Sequence, residues 1–220
     1  MAAAKGKSNG FAIGVSIAVV VVLVALGGVV FWLNSKATDA GPAPTSEILN
    51  ADTGALTFGK GKDTVAVYLD FQCPACNTFE TQYGDKLKKA ADDGKITLEY
   101  HPVAILDRYS QGTQYSSRSG AAAFCVAETS PDKYLAFART LFKNQPQENT
   151  PGLTNDQIAG YAKEVGADEA TSCITDEKYL KYPAAQAVKA KVQSTPTIEI
   201  NGKRLDLQKD GVKELDALLG

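Results

Sequence analysis

The stretch TVAVYLDFQCPAC, Thr64 to Cys76, decides the reading of this chain. Thr64 to Phe71 is β-branched and aromatic, the composition of a buried strand. It runs straight into Cys73-Pro74-Ala75-Cys76. From Pro74 to about Ala91 the pattern turns helical, because Phe79, Tyr83, Leu87 and Ala91 fall on one face. Proline is tolerated just inside a helix start, where its missing N–H would have no intrahelical partner. A strand therefore delivers Cys73 to a helix N-terminus, where unpaired N–H groups and the helix dipole favour a thiolate. Cys76, one turn further in, is expected to be the more buried, resolving thiol.

A Cys-x-x-Cys pair has three explanations: a redox couple, half of a zinc site, or a structural bridge. Zinc usually needs a second close pair or two closely spaced histidines. Cys125 and Cys173 stand far apart and His101 is the single histidine, so no metal and no cofactor are expected. The redox and structural readings both stay open at this level, with Cys73 and Cys76 as the candidate catalytic residues.

Upstream, Phe11 to Leu33 carries no charged side chain. As a helix it would span roughly 34 Å, enough for a hydrocarbon core of ~30 Å. Lys5 and Lys7 precede it, so residues 1–10 are expected to be cytoplasmic, 11–33 an anchor, and the rest extracytoplasmic. A cleaved signal peptide is the alternative. Its apolar region is usually ~7–15 residues before a small-x-small site, and Asn34-Ser35-Lys36-Ala37 is a poor one. Either reading exports the chain. Residues 34–46, with Gly41-Pro42 and Pro44, read as a linker. In the 220-residue chain, 22% of residues are charged and the net charge is −2. That balance leaves no electrostatic footprint for nucleic acid.

Downstream, Ala55 to Phe58 reads as a short strand and Ile96 to His101 as another, alternating in polarity. Arg108 to Ser117 reads as a loop. Helices are predicted over Arg118–Glu128, from Ser130-Pro131 to Phe142, from a Thr154-x-x-Gln157 capping box to Gly166, and over Glu177–Gln193 with a break near Pro183. Thr197–Ile200 and Lys203–Leu207 read as strands joined by Asn201-Gly202, a type I′ hairpin signal. Gly211–Leu219 closes the chain as a helix.

Asp70-Phe71-Gln72-Cys73-Pro74-Ala75-Cys76, with Thr195-Pro196 just before the hairpin, resembles the DsbA-like family of thioredoxin-fold proteins. The likeness covers most of Leu56 to Gly220. It implies a mixed α/β sheet in two parts, residues 47–105 and 186–220, with an all-α domain inserted at 106–185. About 120 residues lie between Cys76 and Pro196, room enough for that insertion. The resemblance also implies a cis Thr195–Pro196 bond facing the cysteines, tolerable because cis X-Pro costs only about 0.5–1 kcal/mol. Pro74, Ala75, Thr195 and Pro196 are thereby implied as active-site support. The expected function is an extracytoplasmic oxidase that donates disulfides to reduced, newly exported proteins and is reoxidised by a quinone-linked membrane partner. A disulfide reductase of the same compartment is the runner-up. A non-catalytic binding or chaperone module with a structural bridge is third. For unfolded substrates, a hydrophobic groove beside the site is expected.

The chain departs from the family pattern at two places. Ala75 stands where the best-known members carry histidine, which helps stabilise the thiolate. Thioredoxin and DsbA differ by roughly 150 mV, about 7 kcal/mol for a two-electron couple, and the sequence does not place this chain between them. Val67 stands where members bury an acid, and Glu99 on the next strand is expected to replace it as a proton relay for Cys76. His101, on the same polar face, is expected to be a hydrogen-bonded structural residue.

Leftover cysteines in an oxidising compartment usually pair. Cys125 and Cys173 are therefore expected to form a structural disulfide, as some Gram-positive family members do in their helical domain; two buried free thiols are the alternative. Closing a loop of about 49 residues would add ~4 kcal/mol in the chain-entropy model.

Overall fold

A computed structural model of the chain describes residues 10–37 and 40–220, and within the first helix the side chains of 15–17 and 19–29. The chain divides into two units, Met1–Asp39 and Ala40–Gly220. In the first, α1 (Gly10–Ala37) is a single helix. Its described apolar side chains, Val19 to Val24 among them, are exposed. Among the described residues no helix is long and apolar enough to cross a membrane. The span expected over 11–33 extends across side chains outside the described ones.

The second unit is built on a five-stranded mixed sheet of β1 (Leu56–Phe58), β2 (Asp63–Leu69), β3 (Ile96–Pro102), β4 (Thr197–Ile200) and β5 (Lys203–Arg204). Their order is β1-β3-β2-β4-β5. Only β2 and β3 are parallel, with Val67 opposite Tyr100 and Tyr68 opposite His101. A parallel pair needs a crossover, and α2 (Pro74–Asp92) supplies it, starting at the C-terminal end of β2. One sheet face contributes Val65, Val67, Leu69, Leu98, Tyr100 and Ile198 to the main core, against Phe79, Tyr83 and Leu87 of α2. The other face carries a smaller cluster of Ala66, Tyr68 and Val103, packed with Ala187 and Val192.

Between β3 and β4 lie α3 (Tyr115–Thr129), α4 (Tyr134–Lys143), α5 (Asn155–Glu164), α6 (Thr171–Thr175) and α7 (Tyr182–Lys189); α8 (Gly211–Leu219) ends the chain. They belong to the same compact unit as the sheet. The capping box of α5 forms in both directions between Thr154 and Gln157. Cys125 on α3 and Cys173 on α6 are joined by a disulfide.

Helix α1 runs on to Ala37, into the linker read over 34–46, and β2 stops at Leu69 short of Phe71; three further boundaries differ from the sequence reading. Helix α3 begins at Tyr115 rather than Arg118, because Asp107 accepts from the Ser117 N–H at 2.9 Å and its hydroxyl at 2.6 Å. A cap ten residues upstream leaves no local signature. The helix expected over 177–193 forms only over Tyr182–Lys189, with Pro183 in its first turn instead of interrupting it. Strand β5 ends at Arg204 rather than Leu207, since after Leu205 N–H bonds to Ile198 O the chain turns back on itself, Gly211 N–H closing onto Asp206 O. The hairpin between β4 and β5 has Asn201 and Gly202 both at positive φ, 52° and 78°, as a type I′ turn requires.

Candidate active site

Cys73 caps the N-terminus of α2 in an extended conformation, held by its N–H bond to Asp70 O at 2.9 Å. Both Cys73 and Cys76 are buried free thiols, and Cys76 is the deeper, fully inaccessible one. The Cys76 N–H reaches back to Cys73 Sγ at 3.4 Å. The Cys73 thiol donates to the Thr195 carbonyl at 3.2 Å, bridging 122 residues of sequence. The Thr195–Pro196 bond is cis. Two distant segments, each weak evidence alone, thus meet at one sulfur.

The electrostatics separate the two thiols. A hydrogen bond from the Cys76 thiol, aided by Thr195 and the N–H groups of Cys76 and Ala75, outweighs burial and lowers Cys73 to about 6. Burial first, then the hydrogen bond given to Cys73 and repulsion from it, push Cys76 well above the ordinary thiol range. The arrangement suits Cys73 to be the thiolate near neutral pH while Cys76, the deeper of the two, stays protonated.

Behind the pair, side chains lock the turn Asp70–Cys73. The Asp70 carboxylate is completely buried and accepts from the N–H groups of Gln72 (2.9 Å), Ile105 (2.9 Å) and Leu106 (3.1 Å). Burial raises it to about 6, with the backbone donors offsetting only part. Gln72 is equally buried, donating to Tyr109 O at 2.9 Å and accepting from Ser116 Oγ at 3.1 Å. Gln145, just beyond α4, donates to both Phe71 O (2.9 Å) and Cys73 O (3.0 Å). The helical segment therefore grips the active-site turn directly.

Glu99 does not reach the thiols. Its strand neighbour Tyr100 points toward α2, donating through its hydroxyl to Glu80 at 3.0 Å. Successive residues of a strand face opposite ways, so Glu99 lies on the far side of the sheet, 3.8 Å from His101 Nε2. Besides Asp70, a second buried acid, Glu80, lies one turn along α2 from Cys76 and is raised chiefly by burial. Its partner Tyr100 sits opposite Val67, the position where the resemblance places an acid. His101 stacks on Tyr68 with ring centres 4.1 Å apart, and its buried Nε2 has no hydrogen-bond partner among the described residues. Glu80 carried no signal in the sequence, because a glutamate among Thr78 and Thr81 reads as a solvated helix face. Beside the cis-proline a cleft of about 530 Å³ is lined by Gln193, Ser194, Arg204 and Asp206 as well as Leu205 and Leu207. It is largely polar, unlike the hydrophobic groove expected.

A thioredoxin-like fold with one lowered and one raised thiol beside a cis-proline defines a protein of the thiol–disulfide oxidoreductase class. The thioredoxin family model matches residues 57–219, and the chain belongs to that family, in its DsbA-like branch. The reduced crystal structure of DsbA from Mycobacterium tuberculosis is 32% identical, with TM-score 0.65, covering 79% of this chain and 88% of that one. Probable disulfide bond formation protein D of Bacillus cereus is 24% identical over 205 residues, 89% of this chain and 90% of its own length. Serine/threonine-protein kinase PknE of M. tuberculosis is 35% identical over 116 residues, 50% of this chain. This chain thus spans only 20% of that kinase's length.

Proposed function

We propose that the chain is an extracytoplasmic disulfide oxidase acting on reduced, exported proteins. The observation that carries this reading is the opposed behaviour of the two sulfurs at a helix N-terminus beside a cis-proline, Cys73 lowered and Cys76 raised. Stabilising the Cys73 thiolate stabilises the reduced pair, and so strengthens the disulfide as an oxidant. In the oxidised pair, a substrate thiolate attacks Cys73 Sγ. The Cys73–Cys76 bond breaks, and Cys76 leaves with the electron pair and takes up a proton. A second substrate thiolate attacks the substrate sulfur of the mixed disulfide and expels Cys73 as a thiolate. The substrate loses two electrons and the pair gains them. A quinone-linked membrane oxidoreductase would remove them. Pro74 fixes the helix start, Ala75 lends its N–H, and Thr195 and cis-Pro196 present a carbonyl beside the sulfur.

Helix α1 anchors this domain in a membrane with residues 1–10 cytoplasmic. The reading is supported by the uncharged run Phe11–Leu33 and by the exposure of α1's described valines and leucines. Protease digestion of right-side-out against inverted vesicles tests it, and protection of residues 40–220 in right-side-out vesicles would overturn it.

The deciding measurement is the reduction potential of Cys73–Cys76 in the full chain, equilibrated against glutathione in detergent. A value near −120 mV supports the oxidase, whereas one near −270 mV makes the chain a reductant. A Cys73 that resists alkylation at neutral pH would leave only a binding module with a structural bridge.

A further inference from the structure

One of the donors to the Cys73 sulfur is shared. The Cys76 N–H lies 3.1 Å from the Cys73 carbonyl oxygen and 3.4 Å from Cys73 Sγ. That carbonyl also accepts from Asn77 N–H at 3.2 Å and from Gln145 Nε2 at 3.0 Å. A carbonyl oxygen offers two lone pairs, so three donors compete for two places. Of the three, the Cys76 N–H is the one with the sulfur as a second acceptor, and it is shared between the two.

Gln145 is held in that pose from both ends. Its Nε2 also donates to Phe71 O at 2.9 Å, and its Oε1 accepts from Asn77 Nδ2 at 3.3 Å. Asn77 in turn donates to Phe142 O at 2.9 Å, and the rings of Phe71 and Phe142 pack with centres 5.0 Å apart. These partners on opposite sides assign the amide's nitrogen and oxygen without ambiguity.

We propose that Gln145 is a positioning residue for thiol–disulfide exchange: by competing for the Cys73 carbonyl it weakens that oxygen's hold on the Cys76 N–H, which the Cys73 sulfur shares, and it ties the active-site turn to the end of α4. The inference rests on Cys73 being the exchanging sulfur, and holds whether the protein oxidises or reduces. Freed of Gln145, the Cys73 carbonyl takes a larger share of the Cys76 N–H and the thiolate loses part of its solvation.

The test is the pH profile of Cys73 alkylation in the full chain, its active-site pair selectively reduced, with unfolding followed in parallel. In Gln145→Leu the thiolate fraction at pH 5 to 6 should fall about three- to tenfold, the loss of one modest hydrogen bond. Thr154→Ala breaks the α5 capping box and touches nothing near the turn; it should lower stability yet leave the profile in place. An unchanged profile in folded Gln145→Leu, or equal displacement in both variants, overturns the proposal. Should Gln145→Leu not fold, Asn77→Ala decides by the same criterion, since it removes the bond that holds the Gln145 amide from its oxygen end. A wild-type midpoint at the free-cysteine value of ~8.5 would instead defeat the reading of Cys73 itself, whatever the variants do.

Discussion

Replacing Asp70 by asparagine should invert the stability ranking of the two proteins between acid and neutral pH. Asp70 is fully buried, and burial raises its carboxyl from 3.8 to about 6. A group raised on folding contributes stability that is complete below about 3.8 and lost as pH climbs through about 6. The gap of about two pKa units corresponds to about 3 kcal/mol of stability lost between pH 4 and 7. Asparagine has the same shape and no charge, so it escapes that loss. It does surrender one of the two oxygens that accept from Gln72, Ile105 and Leu106, a cost of about 1 kcal/mol. Asp70→Asn should therefore be less stable than wild type by about 1 kcal/mol below pH 3 and more stable by about 2 kcal/mol at pH 7, crossing between about pH 4 and 5. Thermal unfolding of the full chain in detergent, followed by tyrosine fluorescence, reads this as a relative swing of about 6–12 °C for a chain of this size. Parallel pH profiles for the two proteins would refute the buried-charge account.

Cys76→Ser should trap substrates as stable mixed disulfides on Cys73, visible as reductant-sensitive bands on a non-reducing gel, while Cys73→Ser traps none. Replacing Cys125 and Cys173 together by alanine opens a crosslink across 48 residues of sequence. It should cost about 4 kcal/mol, or about 8–16 °C, with the Cys73–Cys76 potential unmoved; a changed potential would contradict its structural role. Glu128→Gln should remove an acid-side sensitivity. Burial pushes Glu128 up, but Lys178, Tyr179 and Thr45 together outweigh it and hold the carboxyl at about 2. A lowered acid contributes stability above its unfolded value near 4.5 that is lost as pH falls through about 2. After solvent screening this amounts to about 1 kcal/mol, so wild type and variant should converge in melting temperature by pH 2.

What could be read from the sequence was what is carried by local pattern. TVAVYLDF and the four-residue spacing behind it declare a strand and a helix, and the Asn201-Gly202 turn declares its hairpin. The two cysteines are scarce residues in a telling place. The long-range polar architecture stayed hidden for a physical reason: a hydrogen bond carries no periodicity. Gln145 is 72 residues from the carbonyl it grips at Cys73, and nothing around it in Asn144-Gln145-Pro146 distinguishes it from an ordinary loop amide. Asp70 and Gln72 lay within the quoted motif, but only burial shows that their side chains bind backbone rather than solvent. Glu99 was placed on the wrong side because its role was inferred from strand adjacency alone. Register shows instead that Tyr100, not Glu99, shares the face of Val67.

The point where the chain enters its folded unit has a mechanical consequence. Thr45 bonds through its N–H and hydroxyl to Glu128, and the Ser46 hydroxyl bonds to the Ala127 carbonyl. Both grips fall at the end of α3, a turn beyond Cys125 and its crosslink. The start of the folded unit is thus latched onto a covalently braced helix. The sheet and its sulfur pair lie beyond that latch in the chain, so the folded unit's entry is fixed on a braced helix and not on the elements that carry the sulfurs.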